Sequence, residues 1–219
     1  MPGPDILLVH GAWHGSWCWE LVIEELSRLG RTAHAVDLPT SGSPAGMGDD
    51  AEVIRQAIAA IDGPVAVVGH SYGGFPMSEA TAGAESVTHL VYLAAWMFDA
   101  GVSIAGAVGI PPFEVDLVPP QPDALAQFYG DVDPTVAERA IARLRPRSGS
   151  SGSDSLTAAG WRTIPSTYVV CDNGKAIPPA VQEEMAARAS AVRHLPTSHS
   201  PFLSAPADLA AVLDEVAKD

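Results

Sequence analysis

Six short apolar runs recur along the chain with little polar alternation inside them: residues 6–9, 33–36, 65–68, 89–93, 167–171 and 192–195. Runs of this kind suit strands covered on both faces, which is the environment of a parallel sheet. Amphipathic helical patterns separate them, over residues 19–29, 49–61, 75–82, 179–189 and 207–216. Asp49-Asp50 and Pro178-Pro179 mark helix starts, where acids complement the helix dipole and proline lacks only a redundant donor. Strands and helices in this alternation predict a doubly wound α/β sheet of six mostly parallel strands.

One stretch breaks the rhythm. Residues 101–162 contain no clear strand and include Pro111-Pro112, Pro119-Pro120 and the flexible-looking run Ser148 to Ser153. A helical piece over residues 135–144 lies within it. Insertions of this length are usually functional or disordered. The expectation is one domain, with residues 1–100 and 163–219 as its core and residues 101–162 inserted as a cap over the site. The plainer alternative is a loose surface excursion.

The most specific local signal is Gly69-His70-Ser71-Tyr72-Gly73, directly after the third apolar run. A G-x-S-x-G pentapeptide between a strand and a helix reads as a nucleophile elbow, in which a strained turn lifts the serine hydroxyl out of the sheet. Ser71 is therefore the candidate nucleophile. Acyl transfer also needs a base and donors for the oxyanion. His199 follows the last predicted strand, in the loop position where hydrolases of this chain order place their base. The N–H groups of Tyr72, next to the serine, and of Ala12, in the loop after the first strand, are the oxyanion-hole candidates. Trp13, His14 and Trp96 are candidate pocket-lining residues, whereas His10 and His70 read as structural.

Composition narrows the partners. A net charge of −14 over 219 residues disfavours nucleic acid and anionic lipid, and leaves a small-molecule substrate. Cys18 and Cys171 are too few for a disulfide framework and read as buried thiols. Seven histidines show no metal-ligand spacing, so no metal is expected. With no basic leader and no apolar run of membrane-spanning length, the chain is expected to be soluble and cytoplasmic.

Several motifs together resemble the plant methylesterase and hydroxynitrile lyase group of α/β hydrolases and its bacterial relatives. They are His10 to Trp19, Gly69 to Gly74, Leu90 to Met97, Tyr168 to Cys171 with Ala176 to Pro179, and His199 with Pro201 to Ser204. The resemblance spans nearly the whole chain. It implies the α/β-hydrolase fold, a six-stranded core under a cap, a serine nucleophile and no cofactor, and it leaves room for a homodimer. Two departures separate the activities. The lyases of the group carry a hydroxyl-bearing residue where this chain has Gly11, and a lysine where it has Ser200. A cation at the latter position stabilises departing cyanide, so the esterase branch fits better.

A third departure concerns the triad. The resemblance puts the acid that orients the histidine at position 174, which is glycine here. The nearest carboxylate is Asp172, which completes the expected triad of Ser71, His199 and Asp172. The alternatives are a carboxylate from another strand end, with Asp99 best placed, or no acid at all. These readings carry different functions. The first is a serine esterase acting on a small, largely apolar ester or lactone. The last is a non-hydrolytic lyase, isomerase or cyclase, or a ligand-binding protein on the same scaffold.

Overall fold

Every residue of Val65–His70 and Ser166–Cys171 is buried, as strands covered by helices on both faces must be. The computed structural model describes residues 3–218. Its strands are β1 (Asp5–Val9), β2 (Ala33–Val36), β3 (Val65–His70), β4 (Val87–Leu93), β5 (Leu117–Val118), β6 (Arg147–Ser148), β7 (Ser166–Cys171) and β8 (Ala191–Leu195). Six form one sheet in the order β2-β1-β3-β4-β7-β8, with every pair parallel. These are the six apolar runs of the sequence.

Period-two alternation assigns the side chains to two cores. Leu7, Val9, Val67, Leu90, Tyr92 and Val170 face one side, where α2 (Met47–Ala59), α3 (Gly74–Ala80) and α7 (Pro179–Ala186) pack. Ile6, Leu8, Val68, Val91, Val169 and Cys171 face the other, against α1 (Glu20–Arg28) and α9 (Pro206–Val216). Cys18 and Cys171 are both buried, free thiols. The sheet order reverses about β1 and β3, so the carboxyl end of β3 opens on the crevice where sheets of this kind bind ligands.

The insertion is more ordered than its composition suggests. It holds three short helices, Ile104–Val108 (α4), Ala124–Phe128 (α5) and Pro134–Arg143 (α6), and the antiparallel pair β5–β6, which no apolar run announces. Residues 148–153 are not an extended linker. Ser148 and Ser151 are buried; Ser151 Oγ donates to the Ser148 carbonyl at 2.7 Å, and the Ser148 backbone N–H donates to the Thr40 carbonyl at 2.8 Å. A small third core of Phe128, Tyr129, Val132, Ala137 and Ala140 joins the insertion to Trp13 and Trp17 of the main domain. Among the described residues no helix is long and apolar enough to cross a membrane.

Candidate active site

Ser71 follows β3 directly and adopts a φ of 52°, a left-handed conformation that costs a side-chain-bearing residue roughly 1–3 kcal/mol. Two glycines permit the turn. A Cβ on Gly69 would lie 2.7 Å from Gly74 Cα, and one on Gly73 would lie 2.5 Å from the His10 carbonyl oxygen. The Trp96 N–H, donating to the Ser71 carbonyl at 3.1 Å, ties the elbow to the end of β4.

Ser71 opens into a cavity of about 290 Å³, walled on the sheet side by Ala12, Trp13, Tyr72, Trp96 and Ile177. The insertion supplies the other walls, among them Ile104, Phe113, Phe128 and Arg147. The structure thus brings Ser71 together with both proposed oxyanion residues and with Trp13 and Trp96. Trp13 itself has a φ of 64°, and its indole N–H donates to the carbonyls of Val118 and Pro119 at 3.1 and 3.0 Å. Tyr72 is held from behind. Its hydroxyl donates at 2.6 Å to Asp50, whose carboxylate also accepts from Thr40 N and Oγ1. Asp50 lies in the first turn of α2, as the sequence reading has it, but it is also fully buried, and burial pushes its carboxyl up to about 6.

His199 lies in the loop between β8 and α8 (Pro201–Ser204). Its ring shares Phe128 with the cavity: the two ring centroids are 6.0 Å apart. Its carbonyl accepts from His70 Nε2 at 2.9 Å, and the two imidazoles pack at 4.7 Å. Burial, reinforced by neighbouring His14, pushes the His199 imidazole down to about 3, so the ring is neutral. Its Nδ1 is buried and has no hydrogen-bond partner among the described residues.

Asp172 does not meet that nitrogen. Its carboxylate points outward beside the neighbouring strand and pairs with His194 Nδ1 at 2.8 Å. Asp172 N and Asn173 N bond to the Leu195 and Thr197 carbonyls, which carries the β7–β8 pairing past the strand end and keeps the Asp172 side chain beside His194. Asp99 is taken as well, by a bidentate pair with Arg162 at 2.6 Å. Gly174 is buried, and a Cβ there would stand 2.7 Å from Gln182 Nε2.

His14 is also corrected. It is not a cavity wall but a buried bridge. Its Nδ1 donates to the Ala12 carbonyl at 2.9 Å, and its Nε2 accepts from the Tyr129 hydroxyl at 2.8 Å. His10 is structural as expected: Nδ1 donates to the Gly11 carbonyl and Nε2 accepts from Leu38 N.

Two side chains of the insertion have no signal in the sequence. Asp131 accepts from the Ser198 backbone N–H at 2.7 Å and from the Ser198 hydroxyl, so it pins the loop that carries His199. Arg147 enters the cavity through β6. Their roles arise only when the insertion folds back on the sheet.

The comparisons with known proteins agree with this architecture. Residues 6–212 match the alpha/beta hydrolase family. The chain is 30% identical to the alpha/beta hydrolase nvfD of Aspergillus novofumigatus, over 93% of this chain and 92% of that protein. It is 25% identical to methylesterase 7 of Arabidopsis thaliana, over 96% and 95% of the two chains. Among solved structures, a pyrethroid hydrolase from Sphingobium faniae superposes with a TM-score of 0.80 at 25% identity, covering 98% of this chain and 97% of that one. The match over nearly the whole length, with the serine on a strained turn at the carboxyl end of the central strand, makes this chain a member of the α/β hydrolase family.

Proposed function

We propose that the protein is a serine carboxylic ester hydrolase for a small, largely apolar ester or lactone, with the insertion acting as the cap of its site. The observation that carries this reading is Ser71, held at positive φ and facing a mostly apolar cavity that it shares with Ala12 and Tyr72. Family membership and the methylesterase relative support the same chemistry.

In this reading Ser71 Oγ attacks the ester carbonyl carbon while His199 takes its proton. The Ala12 and Tyr72 N–H groups receive the oxyanion. The carbon–oxygen bond to the alcohol then breaks, and His199 returns the proton to the departing alkoxide. Water repeats the sequence on the acyl-serine. Among the described residues no carboxylate receives His199 Nδ1–H, so the imidazolium formed in each half-reaction lacks its usual partner. Removing that partner costs about 10⁴-fold in well-studied serine proteases, and turnover here is correspondingly slow.

The orphaned Nδ1 favours one second reading. There His199 acts as a lone acid–base, and the oxyanion donors hold an enolate or alkoxide in a lyase, isomerase or cyclase reaction. A fluorophosphonate probe and a series of short-chain p-nitrophenyl esters separate the two. Labelling and turnover by the wild type, both lost in Ser71→Ala, establish the hydrolase. Equal turnover by the two proteins rules out the serine mechanism.

A further inference from the structure

Among the described residues that line the Ser71 cavity, Arg147 is the only charged side chain. Strand pairing holds it there. Arg147–Ser148 pairs with Leu117–Val118 on one side, and Arg147 bridges to Ser41 on the other. The guanidinium is buried between two aromatic faces, 5.1 Å from the Trp13 centroid and 4.5 Å from that of Phe113. Nη1 donates to the Ser148 carbonyl at 2.9 Å and to Ser151 Oγ at 3.1 Å. Among the described residues Nε and Nη2 meet no protein acceptor, neither is sealed off as a buried unpartnered atom, so both are left open to the cavity, and no carboxylate forms an ion pair with Arg147.

A buried, unpaired cation is costly and is normally matched by an anion. The rings of Trp13 and Phe113 attract the guanidinium but do not neutralise it. Burial even lowers its proton affinity, the direction expected of a cation without a counter-charge. The other walls are mostly apolar, with Ile104, Ile110, Phe128 and Ile177 among them, and the neutral amide of Gln121 supplies no anion either. A planar fork with free donors inside a mostly apolar cavity is suited to an oxyanion held in two hydrogen bonds, a carboxylate or a phosphate, and of the two the flat carboxylate is the smaller and the less heavily charged to bring into apolar walls.

We propose that Arg147 is the specificity-determining residue of this cavity, and that it takes the ionised carboxylate of an ester substrate carrying a second carboxyl group. The proposal rests on the ester-hydrolase reading and narrows its substrate class. The overall charge of −14 repels such a molecule at long range, so its selection must come from a local contact of this kind.

Two matched pairs of esters test it on the full chain. The first is the p-nitrophenyl hemiester of adipic acid against p-nitrophenyl heptanoate, with the carboxylate on the acyl side. The second is para-acetoxybenzoate against para-isopropylphenyl acetate, with the carboxylate on the leaving side. The wild type is expected to favour the anionic member of at least one pair by about tenfold or more in kcat/KM, chiefly through KM, as a charge-assisted bidentate contact implies. Arg147→Met should bring that ratio to one or below, and Arg147→Lys should retain part of it. Preference for the neutral member in both pairs overturns the proposal, as does Arg147→Met with the preference intact. Should Arg147→Met fail to fold in thermal denaturation, the wild-type ratio and Arg147→Lys decide. If the wild type hydrolyses none of the four, the ester reading falls, and calorimetric titration with monomethyl adipate decides the role of Arg147. Binding weakened by Arg147→Lys upholds it, and no binding to the wild type overturns it.

Discussion

The side-chain amide of Gln182 occupies the space that a Cβ on Gly174 would need, 2.7 Å away. The amide is fixed there: its oxygen accepts from Cys171 N, and its nitrogen donates to the carbonyls of Cys171 and Ile177. The glycine and the glutamine thus form a packed pair at the position where the family resemblance places the acid of the triad. Restoring that acid sets chemistry against packing. Gly174→Asp is expected to raise kcat on a p-nitrophenyl ester by about tenfold or more, by giving His199 Nδ1–H an acceptor. It should also cost about 1–3 kcal/mol of stability, because Gln182 must move. Steady-state kinetics and urea denaturation read the two effects separately. An intact, folded variant with unchanged kcat would remove position 174 from the account of the missing acid.

The strain at Ser71 is separable from its chemistry. Glycine adopts a φ of 52° without steric cost, while alanine does not. Ser71→Gly is therefore expected to be more stable than Ser71→Ala by about 1 kcal/mol, the conformational relief less the greater backbone entropy of unfolded glycine. Both should be inactive as esterases. Thermal denaturation of the two side by side checks the difference; equal midpoints would mean that the turn carries no strain.

Acid should unfold the protein earlier than its carboxylates alone would. Burial pushes His10 and His14 down to about 4 and His199 down to about 3, from 6.5 in the unfolded chain. Below pH 6.5 the unfolded state binds protons that the folded state refuses, so stability falls with pH until the folded values are reached. Each such group removes about 1.4 kcal/mol per pH unit inside its window. Asp50 acts in the opposite sense. Raised to about 6 in the fold, it favours the folded state at low pH and loses that contribution as pH rises from 3.8 through about 6. Burial holds His70 well below its ordinary value too, so with four histidines against one raised carboxylate, denaturant midpoints should drop steeply between pH 6.5 and about 4. A flat profile over that window would mean that these imidazoles are protonated in the fold.

Asp131 holds the loop of His199 through two bonds to Ser198. Asp131→Ala is expected to cost about 1–3 kcal/mol of stability, since the Ser198 N–H and hydroxyl lose their acceptor. It should also lower kcat more than it raises KM, because the proposed base, His199, loses the anchor of its loop while the cavity walls stay. Asp131→Asn, which keeps one acceptor oxygen, should recover part of both. Loss of stability with kcat intact would confine Asp131 to folding.

The sheet is legible in the sequence because burial on both faces leaves an uninterrupted apolar trace, as in Val65–Val68 and Tyr168–Cys171. The elbow is legible because close backbone approach admits only glycine at positions 69 and 73. Side-chain destinations are less so. Asp172 lies close in sequence to the expected acid position, yet strand pairing turns it toward His194. His14 lies in the loop after β1 with Ala12, yet Tyr129 draws it away from the cavity. Asp50 sits where helix-start acids belong, yet it serves Tyr72 across the core. Arg147 and Asp131 acquire meaning only from an insertion whose pairings span two residues each or run through single side chains. No periodicity records such contacts.

The indole of Trp13 joins two parts of the molecule that lie far apart in the sequence. Its ring belongs to the turn that carries Ala12, while its N–H is gripped by the carbonyls of Val118 and Pro119. Any displacement of that strip is transmitted to the tryptophan, and through it to the neighbouring amide. One indole thus makes the position of the Ala12 turn answer to a segment more than a hundred residues away.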